Sequence, residues 1–307
     1  METKTIKEKL FNSGEITAVK TGISPIDDQI KGFCKGELTT IIGASGIGKS
    51  LFLENILVNM AKSGEKVVYY DLENGPATTY KRLLRLWHGL DNDFFLNKEN
   101  ESKIDDLLPE MSKNLKVVFD QDLLVYGGSK YEGLVADIMK CFNGEDDPFL
   151  IGIDPLQALE TKNNPGELYN EQGKITEVLK NMTINLNTSI VLLHHLRKTD
   201  STTGTFFTID NFDDTAESVR KYRIPQEEDL KGSQKIFDFS VNVMGIARAK
   251  AEETKEKRGK AVINLMKLRN QRDGKLAYMY FDEDTLIFKE PKNRYSNNPA
   301  DIFNGGL

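Results

Sequence analysis

One short stretch carries the most specific chemistry in this chain: Gly43-Ala44-Ser45-Gly46-Ile47-Gly48-Lys49-Ser50, followed by Leu51. Gly43, Gly48, Lys49 and Ser50 satisfy the G-x-x-x-x-G-K-[ST] spacing, in which a glycine-rich turn cradles phosphates. The glycines let the backbone adopt positive φ and turn successive N–H groups toward an anion. A helix starting at Lys49 adds the partial positive charge of its N-terminus at the same point. Lys49 is expected to reach the β- and γ-phosphates, and the Ser50 hydroxyl to enter a magnesium shell. Residues Gly43 to Leu51 therefore predict a bound nucleoside triphosphate, taken as ATP with Mg2+.

Hydrolysis needs further groups. Asp154 ends the apolar run Phe149-Leu150-Ile151-Gly152-Ile153 and is the candidate second metal residue; alternatively it caps the turn before Pro155. Glu73, in Asp71-Leu72-Glu73-Asn74-Gly75-Pro76, is the candidate to orient and deprotonate the attacking water, or else a solvated turn acid. His194-His195 ends another apolar run. His195 is placed to hydrogen-bond the γ-phosphate and report its loss, with His194 as a structural neighbour or the alternative sensor.

Each of these groups follows an expected strand. Thr39 to Gly43, Lys66 to Asp71, Leu115 to Asp120, Phe149 to Asp154 and Ser189 to His194 read as strands, most of them apolar enough for burial on both faces. Helical spacing appears between them: Phe52, Leu53, Ile56, Leu57 and Met60 before Gly64; Tyr80, Leu83, Leu84 and Trp87; Leu134, Ile138 and Phe142; and Glu167 to Asn187. The alternation predicts an α/β fold with a mostly parallel twisted sheet flanked by helices and right-handed crossovers. Ligands in such sheets collect at the C-terminal strand ends. Asp91 to Glu110 is polar and carries no assignment. Thr199 to Leu230 breaks the alternation as a long insertion. After it come a short helix at Gly232 to Phe239 and a strand at Val241 to Ala247. Val262 to Leu268, Leu276 to Asp282 and Thr285 to Lys289 read as hairpin strands, turning at Asp273-Gly274 and Glu283-Asp284. The expected organisation is an arm over residues 1–17 with a docking helix at Lys4 to Phe11, one domain over 18–290, and a disordered tail over 291–307.

Composition narrows the class. The 307 residues are 39% hydrophobic and 29% charged, an ordinary balance with enough apolar material for a sizeable core. No apolar run approaches the roughly 18 residues of a membrane span, and the N-terminus lacks a signal-peptide core. Cys34 and Cys141 have no metal-type spacing and suggest a reducing, cytoplasmic setting. A net charge of −6 argues against an all-over nucleic-acid binder while leaving room for a local basic channel.

The motifs also come in a familiar order. Thr21-Gly22-Ile23 and Gly36-Glu37-Leu38, leading to the phosphate loop, resemble the opening of the RecA-like ATPases. Val67-Val68-Tyr69-Tyr70-Asp71-Leu72-Glu73-Asn74 with Arg82-Leu83-Leu84 resembles the DnaB-type replicative helicases more narrowly. Ile151-Gly152-Ile153-Asp154-Pro155-Leu156-Gln157, Lys231-Gly232-Ser233-Gln234 and Lys267-Leu268-Arg269-Asn270 are similar to later elements of that family. The likeness covers residues 18–290. It implies a RecA-like P-loop NTPase that assembles as a homo-oligomeric ring, a hexamer, with ATP sites between subunits, and moves on single-stranded DNA. Glu73 is then the catalytic carboxylate, and Lys267 and Arg269 are cations reaching the neighbour's γ-phosphate; on pattern alone they also fit a solvated strand face. Lys130, Lys198, Arg220, Lys221, Arg223 and Lys231 are implied to track a phosphate backbone. A primase, a loader or a single-strand-binding protein is the implied further partner.

There are departures from that pattern. His194-His195 before Leu196-Arg197-Lys198 resembles plasmid RepA-type helicases, where DnaB-type chains carry Ser-Gln. The 199–230 insertion departs from the family's DNA-contact loop in length, and the lack of a separate N-terminal helical domain and of a primase domain suggests a minimal motor, such as a phage or plasmid one. Two other classes share the ancestry: a recombinase or mediator, and a KaiC-like regulatory ATPase that never touches DNA.

Overall fold

Apolar runs with no face to spare for water form the centre of a nine-stranded sheet. The computed structural model describes residues 18–123, 129–144, 146–162, 164–196, 204–208, 220–230, 234–268 and 275–291. The expected arm over 1–17, the loop at Tyr126-Gly127-Gly128, the turn at Asp273-Gly274 and the tail from 292 lie outside the described residues. Among the described residues no helix is long and apolar enough to cross a membrane.

Strands β1 (Leu38–Gly43), β2 (Val67–Asp71), β3 (Leu115–Phe119), β4 (Leu150–Asp154) and β5 (Ser189–His195) are parallel. Residues 206–207 (β6) and 222–223 (β7) make a separate two-stranded ribbon inside the expected insertion. Strand β8 (Asn242–Arg248) lies parallel to β1, and β9 (Lys260–Lys267), β10 (Lys275–Phe281) and β11 (Phe288–Lys289) extend the sheet antiparallel. The spatial order is β11-β10-β9-β8-β1-β5-β4-β2-β3.

Helices cover both faces. After α1 (Ser24–Ile30), helices α2 (Lys49–Lys62), α3 (Pro76–His88) and α4 (Ile104–Ser112) pack on one side, with Phe52, Leu57, Leu83, Trp87 and Met111 in a shared core. Helices α5 (Lys130–Lys140), α6 (Pro165–Asn185) and α7 (Gln234–Phe239) pack on the other, with Leu134, Leu179 and Ile236. Strand alternation sends Tyr69 to the first core and Tyr70 to the second. A short α8 (Lys255–Gly259) precedes β9. Gly152 of β4 sits beneath α2, where a Cβ would come within 3.1 Å of Leu57 and 3.3 Å of Leu53.

Two stretches differ from the sequence reading. Asp91 to Glu110, left without assignment, contains 3-10 turns at Asp93–Phe95 and Lys98–Lys103 and most of α4. The strand expected from Thr285 to Lys289 is reduced to Phe288–Lys289. The Asp282 carboxylate accepts the N–H groups of Asp284 (3.0 Å) and Thr285 (3.3 Å), and Leu286 takes φ +62°, so this segment is a turn.

That turn is tied to the phosphate-loop helix by Asn55. Its amide donates to the Leu286 carbonyl at 2.9 Å and accepts the Phe288 N–H at 3.1 Å, all in the interior. Phe288 also meets Phe52 edge-on, with ring centroids 5.3 Å apart. We expect Asn55→Ala to destabilise the domain by about 1–3 kcal/mol for each buried group left unpaired. A lowered midpoint in denaturant titration checks this, and an unchanged midpoint refutes it.

Candidate active site

The expected phosphate loop forms between β1 and α2. Gly46 (φ +69°) and Gly48 (φ +107°) occupy left-handed conformations, and Gly48 is the N-cap of α2. Lys49 points back across the loop, its Nζ donating to the Gly43 and Ala44 carbonyls at 2.9 Å each. Burial draws its pKa down to about 8, against the opposing pull of Asp154 and Glu73.

Asp154 lies at the end of β4 with no solvent exposure. Tyr69 donates its hydroxyl to Oδ2 at 3.1 Å, whereas Oδ1 is buried without a hydrogen-bond partner. Burial pushes the carboxyl up to about 6; the Ser50 hydroxyl and Tyr69 favour the ionised form, while Asp71 and Glu73 oppose it. An orphaned carboxylate oxygen beside a serine hydroxyl at a phosphate loop suits a magnesium ion, so Ser50 and Asp154 fit the role expected of them.

Glu73 is half exposed, and its Oε2 is 3.4 Å from His195 Nε2. Ligand-type atoms of Glu73, Asp154 and His195 all lie within 4.8 Å of one another. The two histidines separate by strand alternation. His194 is buried with Nδ1 2.8 Å from the Gln157 amide, and the His195 N–H donates to Gln157 Oε1 at 3.1 Å. The His195 ring is therefore the one that meets Glu73. Burial and Lys49 lower its pKa, with Glu73 opposing, so it is neutral at pH 7.

Several residues escape the sequence reading. Asp71, fully buried, accepts the N–H groups of Glu73 (3.2 Å) and Asn74 (2.9 Å) and the Thr79 hydroxyl (2.5 Å), fixing the turn that presents Glu73. An acid two residues before Glu73 at a strand end is an Asx-turn signal that points to this. Arg248 ends β8 with its guanidinium 4.6 Å from the Phe281 ring centroid, and its Nε and Nη1 are buried without partners. Its Nη1 lies 3.9 Å from where a Cβ on Gly48 would be. Lys250 donates to the Gly46 carbonyl at 3.1 Å. No motif spacing marks these two cations, because strand pairing of β8 with β1 brings them to the loop.

The other expected cations are dispersed. Lys267 ends β9, which runs against β8, and pairs with Val243, so it stands at the sheet edge opposite the phosphate loop. It donates to the Phe237 and Asp238 carbonyls at 2.8 and 3.2 Å. Arg223 forks onto Asp229 at 2.6 and 2.7 Å, Lys130 meets both Asp120 oxygens at 2.7 Å, and Arg220 donates to the Ala251 carbonyl. Lys221 is exposed. Lys198, Lys231 and Arg269 lie outside the described residues.

A phosphate loop entering α2, with buried Asp154 across one intervening strand and Glu73 beyond, defines a RecA-like P-loop NTPase fold. The chain belongs to the DnaB-like helicase C terminal domain family, whose model matches residues 18–205. Among curated proteins, the replicative DNA helicase DnaC of Bacillus subtilis (strain 168) is 34% identical over 79 residues, 25% of this chain and 17% of that protein. The replicative DNA helicase DnaB of Buchnera aphidicola subsp. Baizongia pistaciae is 25% identical over 198 residues, 62% of this chain and 42% of that protein. The match thus spans less than half the length of these relatives. A solved ATPase domain superposes with TM-score 0.69 and 19% identity, covering 93% of this chain and 96% of the other. A DnaB-like replicative helicase, solved in a study of its interactions with primase, superposes with TM-score 0.69 and 18% identity, covering 93% and 65%.

Asp154 sets a pH expectation. Between its ordinary 3.8 and about 6 the folded protein holds a proton that the unfolded chain has lost. Its contribution to stability therefore falls as pH rises through that window and stays low above it. Asp154→Asn should raise the melting temperature of the nucleotide-free protein at pH 8, with the gain shrinking toward pH 4. The same variant should abolish the extra stabilisation that Mg2+ gives to bound ATP. Calorimetric melts across pH check both, and an Asn variant melting below wild type at pH 8 contradicts the assignment.

Proposed function

We propose that this chain is the ATP-driven motor domain of a ring-forming DNA helicase, assembling as a hexamer and translocating on single-stranded DNA to unwind duplex. The observation that carries the reading is the convergence of Lys49, Asp154, Glu73 and His195, from the ends of four different elements, on one phosphate loop. Backbone N–H groups of residues 44–50 and the Lys49 amine bind and orient the triphosphate, with Lys49 exchanging two loop carbonyls for phosphate oxygens. Ser50 and Asp154 would hold Mg2+, which would supply charge neutralisation at the phosphates. Glu73 aligns the attacking water and accepts its proton, and neutral His195 donates a hydrogen bond to the γ-phosphate. Arg248 and Lys250 line the same loop with positive charge.

The ring is supported by where Lys267 stands. Strand β9 carries it about 20 Å from the start of that strand beside the chain's own loop, at about 3.3 Å per residue. A cation there serves a neighbouring subunit's site rather than its own, and Arg269 follows two residues later in the sequence. In DNA contact, Arg220 and Lys221 are exposed among the described members of the expected set, and Lys130, Arg223, Lys198 and Lys231 complete it. A phage or plasmid replication setting, with a primase, loader or single-strand-binding protein as partner, fits this reading.

A second reading, a regulatory ATPase, draws support from the pairing of Lys130 with Asp120 and Arg223 with Asp229, which occupies two of the proposed DNA cations. ATP hydrolysis with and without single-stranded DNA over a salt series separates the two. We expect strong stimulation that weakens as salt rises. Glu73→Gln should lower kcat at least about a hundredfold, in the range for loss of a general base. Lys49→Ala should abolish hydrolysis, and Arg269→Ala should abolish it while nucleotide binding survives. Absence of DNA stimulation at every salt concentration favours the regulatory ATPase.

A further inference from the structure

Glu54 is a fully buried carboxyl outside the phosphate, metal and water-activating groups. It stands one turn beyond Ser50 on α2, with Oε1 3.5 Å from the Arg82 guanidinium on α3. Its Oε2 is buried without a hydrogen-bond partner. Burial pushes its pKa up to about 8 against the pull of Arg82, with Asp154 and Asp71 adding to the rise. One long ion-pair contact poorly offsets the desolvation of a carboxyl, and an apolar side chain of similar volume would fill the position at no electrostatic cost. Stability therefore does not account for an acid here.

The geometry of α3 does. Helix α3 begins at Pro76, directly after Glu73-Asn74-Gly75, and Asp71 bonds both to that turn and to Thr79 in the first turns of α3. The Glu73 turn and α3 thus form one rigid piece, while Lys49 and Ser50 belong to α2. The ion pair joining α2 to α3 among the described residues is Glu54–Arg82.

We propose that Glu54 is a positioning residue for hydrolysis: by holding Arg82 it fixes α3 against α2, and so sets the Glu73 carboxylate relative to the γ-phosphate gripped by Lys49. This role rests on the ATPase reading above. The test compares wild type, Glu73→Gln, Glu54→Leu, Glu54→Gln, Arg82→Leu and the double Leu variant by thermal melt, binding of a fluorescent ATP analogue and steady-state hydrolysis. Glu54→Leu should melt at or above the wild-type temperature and bind the analogue within about twofold, yet lose about tenfold or more in kcat, the scale for a small misplacement of reacting groups. Glu54→Gln, which keeps an acceptor for Arg82, should recover most of the rate. The double variant should be no slower than the slower single one.

Wild-type kcat in Glu54→Leu, a loss carried by KM, or a Gln variant no faster than Leu overturns the positioning role while Glu73→Gln remains inactive. A wild type without hydrolysis overturns the ATPase reading, and this role with it.

Discussion

A carboxylate at the end of a wholly apolar strand has to be compensated, and much of this site is arranged around Asp154 for that reason. Burial disfavours its ionised form, and Tyr69 satisfies only one of its oxygens. Asp71 and Glu73 add further negative potential from the neighbouring strand end. A divalent cation bound there would supply the charge that the protein withholds. The same low-dielectric setting lowers Lys49, and Asp154 and Glu73 oppose that shift.

Helix α2 transmits this arrangement to the rest of the domain. Its N-terminus holds Lys49 and Ser50, Leu53 and Leu57 sit over Gly152 of the strand that ends at Asp154, and Glu54 reaches α3. On its far side Asn55 and Phe52 hold the β10–β11 turn. One helix therefore touches the strand that ends at Asp154, the helix behind Glu73 and the C-terminal hairpin. Tight packing at these points makes the elements move as discrete pieces rather than deform continuously.

The antiparallel extension sets a second constraint. Because β9 runs against β8, its first residues return to the phosphate-loop edge while Lys267 is carried to the other. Strand β10 comes back, placing Phe281 under Arg248. One hairpin thus has an end packed beside the chain's own loop and an end remote from it.

The phosphate loop, the parallel strands and the order of the strand-end acids are legible in the sequence, because each rests on local rules: fixed spacing, period of burial and positive φ at glycine. Asp154 ends its strand and Glu73 follows the end of β2 for the same reason. The choice between His194 and His195 is open in the sequence, since both follow one strand; it is decided by which ring alternation turns toward Glu73 and which toward Gln157. Thr285 to Lys289 reads as a strand by pattern, yet Asp282 captures the N–H groups of Asp284 and Thr285 into a turn. Glu54 and Arg248 belong to none of the motifs read in the sequence. Only the packing of α3 on α2 buries Glu54, and only the pairing of β8 with β1 brings the half-buried Arg248 to the loop. Sequence determines what recurs at short separation; burial and pairing between residues far apart in the chain belong to the tertiary structure, because the dielectric and the partners of a charge are set by whatever folds over it.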